Sequence, residues 1–325
     1  MRVTAAIVFA VLTLLSLSCE IPSDLGGTYE PKMAAYGILS TFSDTQYVRL
    51  IQTIPESEPF GDTSVKDAAV QITGGGQTFT FRDTVLTRQN GATVDSFHVY
   101  VCYPFKPVPN VAYSLQASSP TFGVVQAQAT APGHTVLNID IAQNFILRNP
   151  YASHTAQPEV DFRLSAGTAA YQVHLEIEYK DITPTDTTIR RYEVPERIVT
   201  VSCFGQIFER YYPRIIRNDS EGDVTYLVNA FNYRKSIETV QGSAYNWELL
   251  RVIFTVVQFN GEWYKYYRSV RSYEDRFSVR LDRPDYSNVN GGLGLFGAYV
   301  VDTVSTSIPA AMFNPNPQDV YPDCN

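Results

Sequence analysis

The chain has 325 residues, room for about two domains, and its 44% hydrophobic content can supply a substantial core. Its formal charge is −8, with 25 Lys and Arg set against 33 Asp and Glu and no basic run among them. That balance argues against nucleic acid as a partner and against electrostatic attachment to anionic lipid.

Chain order begins with an address. Arg2 gives a short positive start, and Ala5 to Leu17 is an uncharged apolar stretch. That stretch is shorter than the roughly 20 residues a membrane-spanning helix needs, and small Ser16 and Ser18 precede Cys19. Leu15-Ser16-Leu17-Ser18-Cys19 resembles a bacterial lipobox in loose form, with Ser16 where a stricter box has Leu. The expectation is cleavage before Cys19 and acylation of its thiol and new amine. Several chains anchor firmly, since each buried CH₂ contributes about 0.8 kcal/mol. Residues 1–18 are then a signal peptide and 19–29 a flexible tether, and loss of Arg2 takes the charge to −9. The competing readings are an ordinary secretory signal with an accidental cysteine and an uncleaved anchor.

Strand signals follow. "VQITGGGQTFTF" reads as a Gly-turn hairpin with Val70, Ile72, Phe79 and Phe81 facing a core. "SFHVYVCY" alternates, with Phe97, Val99, Val101 and Tyr103 on one side. "AYSLQAS" and "VVQAQATAP" add short strands, and Pro132-Gly133 punctuates the chain as a domain boundary. In "AYQVHLEIEYKD", Tyr171, Val173, Leu175, Ile177 and Tyr179 alternate with polar residues. "LLRVIFTVVQF" is apolar on both faces and reads as a central strand. "GEWYKYYRSVRSYED" carries Trp263, Tyr266, Tyr267, Val270 and Tyr273 at helical spacing, which leaves Tyr264 as the aromatic expected to be exposed. "RFSVRL" and "NVNGGLGLFGAYVVDTV" return to strand. The expected fold is all-β. It comprises an N-terminal β-sandwich at 30–132 and a second at 133–308, immunoglobulin/transthyretin-like and fibronectin-III-like, with a short helix in the second. A Pro/Asn-rich tail follows at 309–325.

Candidate chemistry is sparse. His174, Glu176 and Glu178 share one strand face at about 6.6–7 Å intervals. They suggest a glycosidase pair or a metal site, against the plainer reading of a solvated sheet face. Asp181 and Asp186 are weak calcium candidates without the EF-hand pattern. Gly74-Gly75-Gly76 lacks the Lys-Ser/Thr of a phosphate loop, and "GGLGLFG" lacks a dinucleotide-binding setting, so both read as turns or close packing. His98, His134 and His154 are scattered, and no GxSxG or HExxH occurs. Cys102, Cys203 and Cys324 form no CxxC; one disulfide is permitted, its members unspecified, and buried thiols fit equally. "WYKYYR", with Lys265 and Arg268, is the most tempting binding patch, against core packing of its aromatics.

Several pieces occur together: "YEPKMAAYGILS", "VKDAAVQITGGGQTFTF", "VPNVAYSLQASSP", "VVQAQATAPG" and "SNVNGGLGLFGAY", all after the lipobox cysteine. This order resembles the Bacteroidetes-type lipoproteins catalogued as domain of unknown function 4249, over nearly the whole mature chain. The resemblance implies an exported outer-membrane lipoprotein beside a TonB-dependent uptake receptor. It brings no catalytic residues. The expectation is a non-enzymatic protein without cofactor or metal, attached to the outer membrane through Cys19, its facing undetermined. The alternatives are a glycan hydrolase using Glu176 and Glu178, and an adhesin or assembly component.

Overall fold

Alternation of apolar and polar residues turns most of this chain into strands, and their pairing decides what each face meets. The structure is a computed structural model that describes residues 29–55, 62–90, 93–138, 159–194, 199–203, 206–210, 215–218, 223–227, 236, 239–240, 242, 246–271 and 286–306. The signal segment, Cys19, His154, Tyr273, "RFSVRL", Cys324 and the tail lie outside the described residues.

In chain order the strands are β1 (Met33–Ser40), β2 (Gln46–Gln52), β3 (Ala69–Gly74), β4 (Gln77–Asn90), β5 (Thr93–Cys102), β6 (Ala112–Ser119), β7 (Gly123–Thr130), β8 (Val136–Asn138) and β9 (Glu159–Arg163). Then come β10 (Ala170–Ile182), β11 (Thr187–Glu193), β12 (Val199–Cys203), β13 (Gln206–Arg210), β14 (Ile216–Arg217), β15 (Asp223–Leu227) and β16 (Trp247–Phe259). Helix α1 (Gly261–Arg271) precedes β17 (Val289–Asn290) and β18 (Leu293–Thr306). The chain is all-β with this helix as an accessory.

One large sheet runs β11-β10-β16-β18-β1-β2-β5-β4-β3-β6-β7-β17. Strand β4 belongs to two walls: Gln77–Phe81 pair with β3, and Arg82–Asn90 pair with β5. The turn between β3 and β4 uses Gly75 and Gly76 at φ 60° and 76°, the backbone a twisted two-residue hairpin requires. Because β17 pairs with β7 and continues through Gly291-Gly292 into β18, the ladder from β18 to β17 returns on itself. It encloses a first core of Ala35, Val48, Leu50, Val70, Ile72, Leu115, Val125 and Phe296.

At Pro132-Gly133 the chain leaves this core. The sheet runs on regardless: β1 pairs in parallel with β18, Ala34 opposite Leu293, and Phe296 and Ala298 lie in the first core. A second core forms where the inner faces of β10 and β16 (Tyr171, Val173, Leu175, Ile177, Val252, Phe254 and Val256) meet Phe162 and Leu164. Those last two belong to the chain that carries β9, in a separate sheet of order β15-β9-β8. Strand β16 lies between β10 and β18, the central position its two apolar faces called for.

Two readings of side-chain facing need correction. Tyr100 and Cys102 point into the first core; of the side that carries Phe97, Val99, Val101 and Tyr103, Val99 is buried and Tyr103 is 70% exposed. Both faces of this strand are apolar, so alternation alone could not choose. Tyr264 packs with Trp263 and Tyr267 against Phe259 and Tyr299; Lys265 and Arg268 are the exposed members. The helix lies over β18, where an added Cβ at Gly297 would stand 3.1 Å from Trp263 Cβ, and Trp263, Tyr264 and Tyr267 are all partly buried there. Asn260 caps α1, its Oδ1 accepting from Trp263 N at 3.1 Å, and Glu262 sits in the positive first turn.

Candidate functional site

Strand register places charges opposite one another across β11, β10 and β16. Glu178 faces Arg191 on one side and Arg251 on the other. Arg251 donates through Nε to Glu178 Oε2 at 2.5 Å and through Nη2 to Oε1 at 3.2 Å, while Arg191 Nε donates to Oε1 at 3.0 Å. The Glu178 side chain is 7% exposed, so its charge is compensated by two guanidiniums rather than by water. The hydrogen bond from Arg251 is the main cause holding its carboxyl below the usual range, helped by Arg191 and opposed by burial. Glu176 reaches Arg191 at 3.9 Å, and His174 Nδ1 lies 3.0 Å from Glu193 Oε1.

The predicted trio thus shares a face but does not converge. A glycosidase acid must hold a proton near neutral pH, and the arginines deny Glu178 that role. Glu176 and Glu178 share Arg191 rather than facing one another across a cleft. Asp181 pairs with Arg190 at 2.9 Å, and Asp186 Oδ1 accepts from Thr187 N. Neither faces the other as calcium ligands would. His98 lies against Asp83 at 3.3 Å, and His134 against Asp302 at 2.5 Å, on separate elements. Among the described residues no three His, Cys, Asp or Glu side chains stand together as a metal site. Cys102 is a free thiol, and burial raises its pKa.

The glycine motif near the chain end is structural. A Cβ on Gly292 would stand 2.2 Å from Met33 O, and one on Gly294, at φ 119°, would stand 2.0 Å from Ala35 O. At these two positions the backbone therefore lies against β1 with no room for a side chain. Asn288 fastens the same turn: Oδ1 accepts from Phe296 N, and Nδ2 donates to Phe296 O and Gln128 O. The aromatics of "WYKYYR" stack inward, Phe259 on Trp263 at 3.9 Å and Trp263 on Tyr267 at 5.2 Å.

Two features escaped the sequence reading. The buried Gln258 amide joins three segments of the chain: Oε1 accepts from Ser165 N and Thr168 Oγ1, and Nε2 donates to Asp302 Oδ2 and Gly133 O. The other is the corner where β1 ends. There Gln46 Nε2 donates to the carbonyls of Ser40, Ser43 and Phe105, clamping two loops that expose Phe42 (73%) and Tyr103 (70%).

Fold and site define an all-β protein whose described surface carries charge pairs along β10 and exposed aromatic loops at the end of β1. The family described as "Domain of unknown function (DUF4249)" matches residues 17–305, and the chain belongs to it. No curated protein matches the chain. Among the described residues no helix is long and apolar enough to cross a membrane.

Proposed function

We propose that this protein is an outer-membrane lipoprotein, tethered through acylated Cys19, that serves as a non-enzymatic partner of a TonB-dependent uptake receptor. The observation that carries the reading is the lipobox Leu15–Cys19 at the head of a short polar tether. The family match begins at residue 17 and so takes in that cysteine. We read the two cores as two β-sandwich units, immunoglobulin/transthyretin-like and fibronectin-III-like, a scaffold type that presents loops and edges to partners. Tethering beside a receptor raises the effective concentration of such contacts without new ones. A hydrolase on Glu176 and Glu178 draws no support from a carboxylate already held by two arginines.

The test is purification of the native acylated protein from detergent-solubilised outer membrane. A stoichiometric β-barrel receptor is the expected companion. Recovery of the protein alone would remove the partnership. Cys19→Ala should move the protein into the soluble fraction; continued membrane retention would sink the anchor.

A further inference from the structure

The two sides of β18 part company at Tyr299. As far as Tyr299 the strand has β1 on one edge and beyond it β16 on the other; Thr41 N still donates to Tyr299 O at 3.3 Å as β1 turns away. From Val300 to Thr306 it keeps β16, and among the described residues no strand pairs with its opposite edge. Val300 is itself fully buried, so the edge unpaired among the described residues runs from Val301 to Thr306, about 20 Å at roughly 3.3 Å per residue. Strand β8 passes beneath it, Leu137 and Val304 packing on the second core, but pairs with β9.

Open edges are normally guarded by charge or proline. The far edge of the same sheet obeys that rule: β11 is exposed and carries Arg190, Arg191 and Glu193. From Val301 the β18 edge reads Val-Asp-Thr-Val-Ser-Thr, β-branched at four positions and without Lys, Arg or Pro. Its one charge is spent, since Asp302 accepts from Thr135 N and Gln258 Nε2 and meets His134. Exposed Phe42 stands in the loop that closes this corner.

We infer that Val301–Thr306 is a docking edge that takes an extended, uncharged segment of a partner polypeptide as an added strand in line with β1. Main-chain hydrogen bonds supply affinity, and Phe42 contributes apolar contact at one end. The chain's own tail suits the edge poorly, because Pro309, Pro315, Pro317 and Pro322 remove donors from it. The identification of the partner as the uptake receptor rests on the function proposed above.

Amide hydrogen exchange on the purified lipoprotein–receptor complex and on the isolated protein tests this. Peptides covering 301–306 should exchange at least about tenfold more slowly in the complex. Thr303→Lys/Ser305→Lys, which adds guard charges at two exposed positions, should lose the receptor while keeping the wild-type unfolding midpoint. A complex that forms with 301–306 exchanging as before overturns the docking edge and leaves the partnership standing. If no receptor is retained by the wild type, both fall. Protection already present in the isolated monomer, or appearing with dimerisation in sedimentation, assigns the edge to this chain or to a second copy and overturns the inference.

Discussion

Around the first core the strand ladder returns to its own start, and its walls meet through backbone contacts at Gly292 and Gly294. Around the second core a separate sheet packs against β10 and β16, and the chain that carries it is tied to the large sheet by side chains, Gln258 and Asp302 above all. The outer faces differ too. Helix α1 covers β18 near Gly297, whereas β10 wears a ladder of charges. Backbone contact tolerates almost no substitution. Side-chain ties degrade by steps, and the charge ladder answers to pH. Strand β18 belongs to both regions, which makes their independence a measurable question.

The largest effect should come from Gly294→Ala. Strain at φ 119° and a clash with Ala35 O together cost about 4–6 kcal/mol, read as a fall in the urea midpoint. Gly76→Ala, at φ 76° with open space around it, is the control and should cost about 1 kcal/mol. Equal losses would remove the close-approach argument. Phe296→Ala in the first core and Phe254→Ala in the second should each cost about 3–5 kcal/mol. If β18 couples the cores, both variants lower one shared calorimetric transition; two separable transitions would show the regions to be independent. Gln258→Leu leaves buried partners unmatched and should cost about 1–3 kcal/mol, with faster exchange at Ser165 N.

The smallest effect belongs to Glu178→Gln, about 1 kcal/mol at pH 7. Its sign with pH is fixed. The folded carboxyl titrates below its ordinary 4.5, so its contribution is present above 4.5 and is lost as pH falls through the folded value. The gap between wild type and variant should therefore narrow on acidification below that point. A gap that widens would mean the arginines do not stabilise the charged form.

Legibility followed the range of the interaction. The β3–β4 hairpin and the inward side of β10 were written in local alternation, and the central place of β16 in its two apolar faces, because these signals are carried within one segment. The inward side of β5 was not, since Phe97 to Tyr103 is apolar on both faces and the choice falls to β2 and β4. The charges at Glu176 and Glu178 were visible, but their partners Arg191 and Arg251 arrive from other strands, and register cannot be counted from one segment. Tyr264 defeated the helical wheel because the cluster around Phe259, which lies just before α1 in the chain, takes in Tyr264 beside Trp263 and Tyr267. "NVNGGLGLFGAY" announced close packing and left unsaid what it packs against.

The pairing of Ala34 with Leu293 also governs when the protein can fold. Contacts so distant along the chain carry a high closure entropy, and folding slows as contact order rises. A chain emerging N-terminus first has β1 to β7 available long before Phe296 and Ala298, which complete their core. Until β18 arrives, that half lacks a wall and stays open to unfolding. A segment that cannot finish folding early is one that can still be threaded across a membrane.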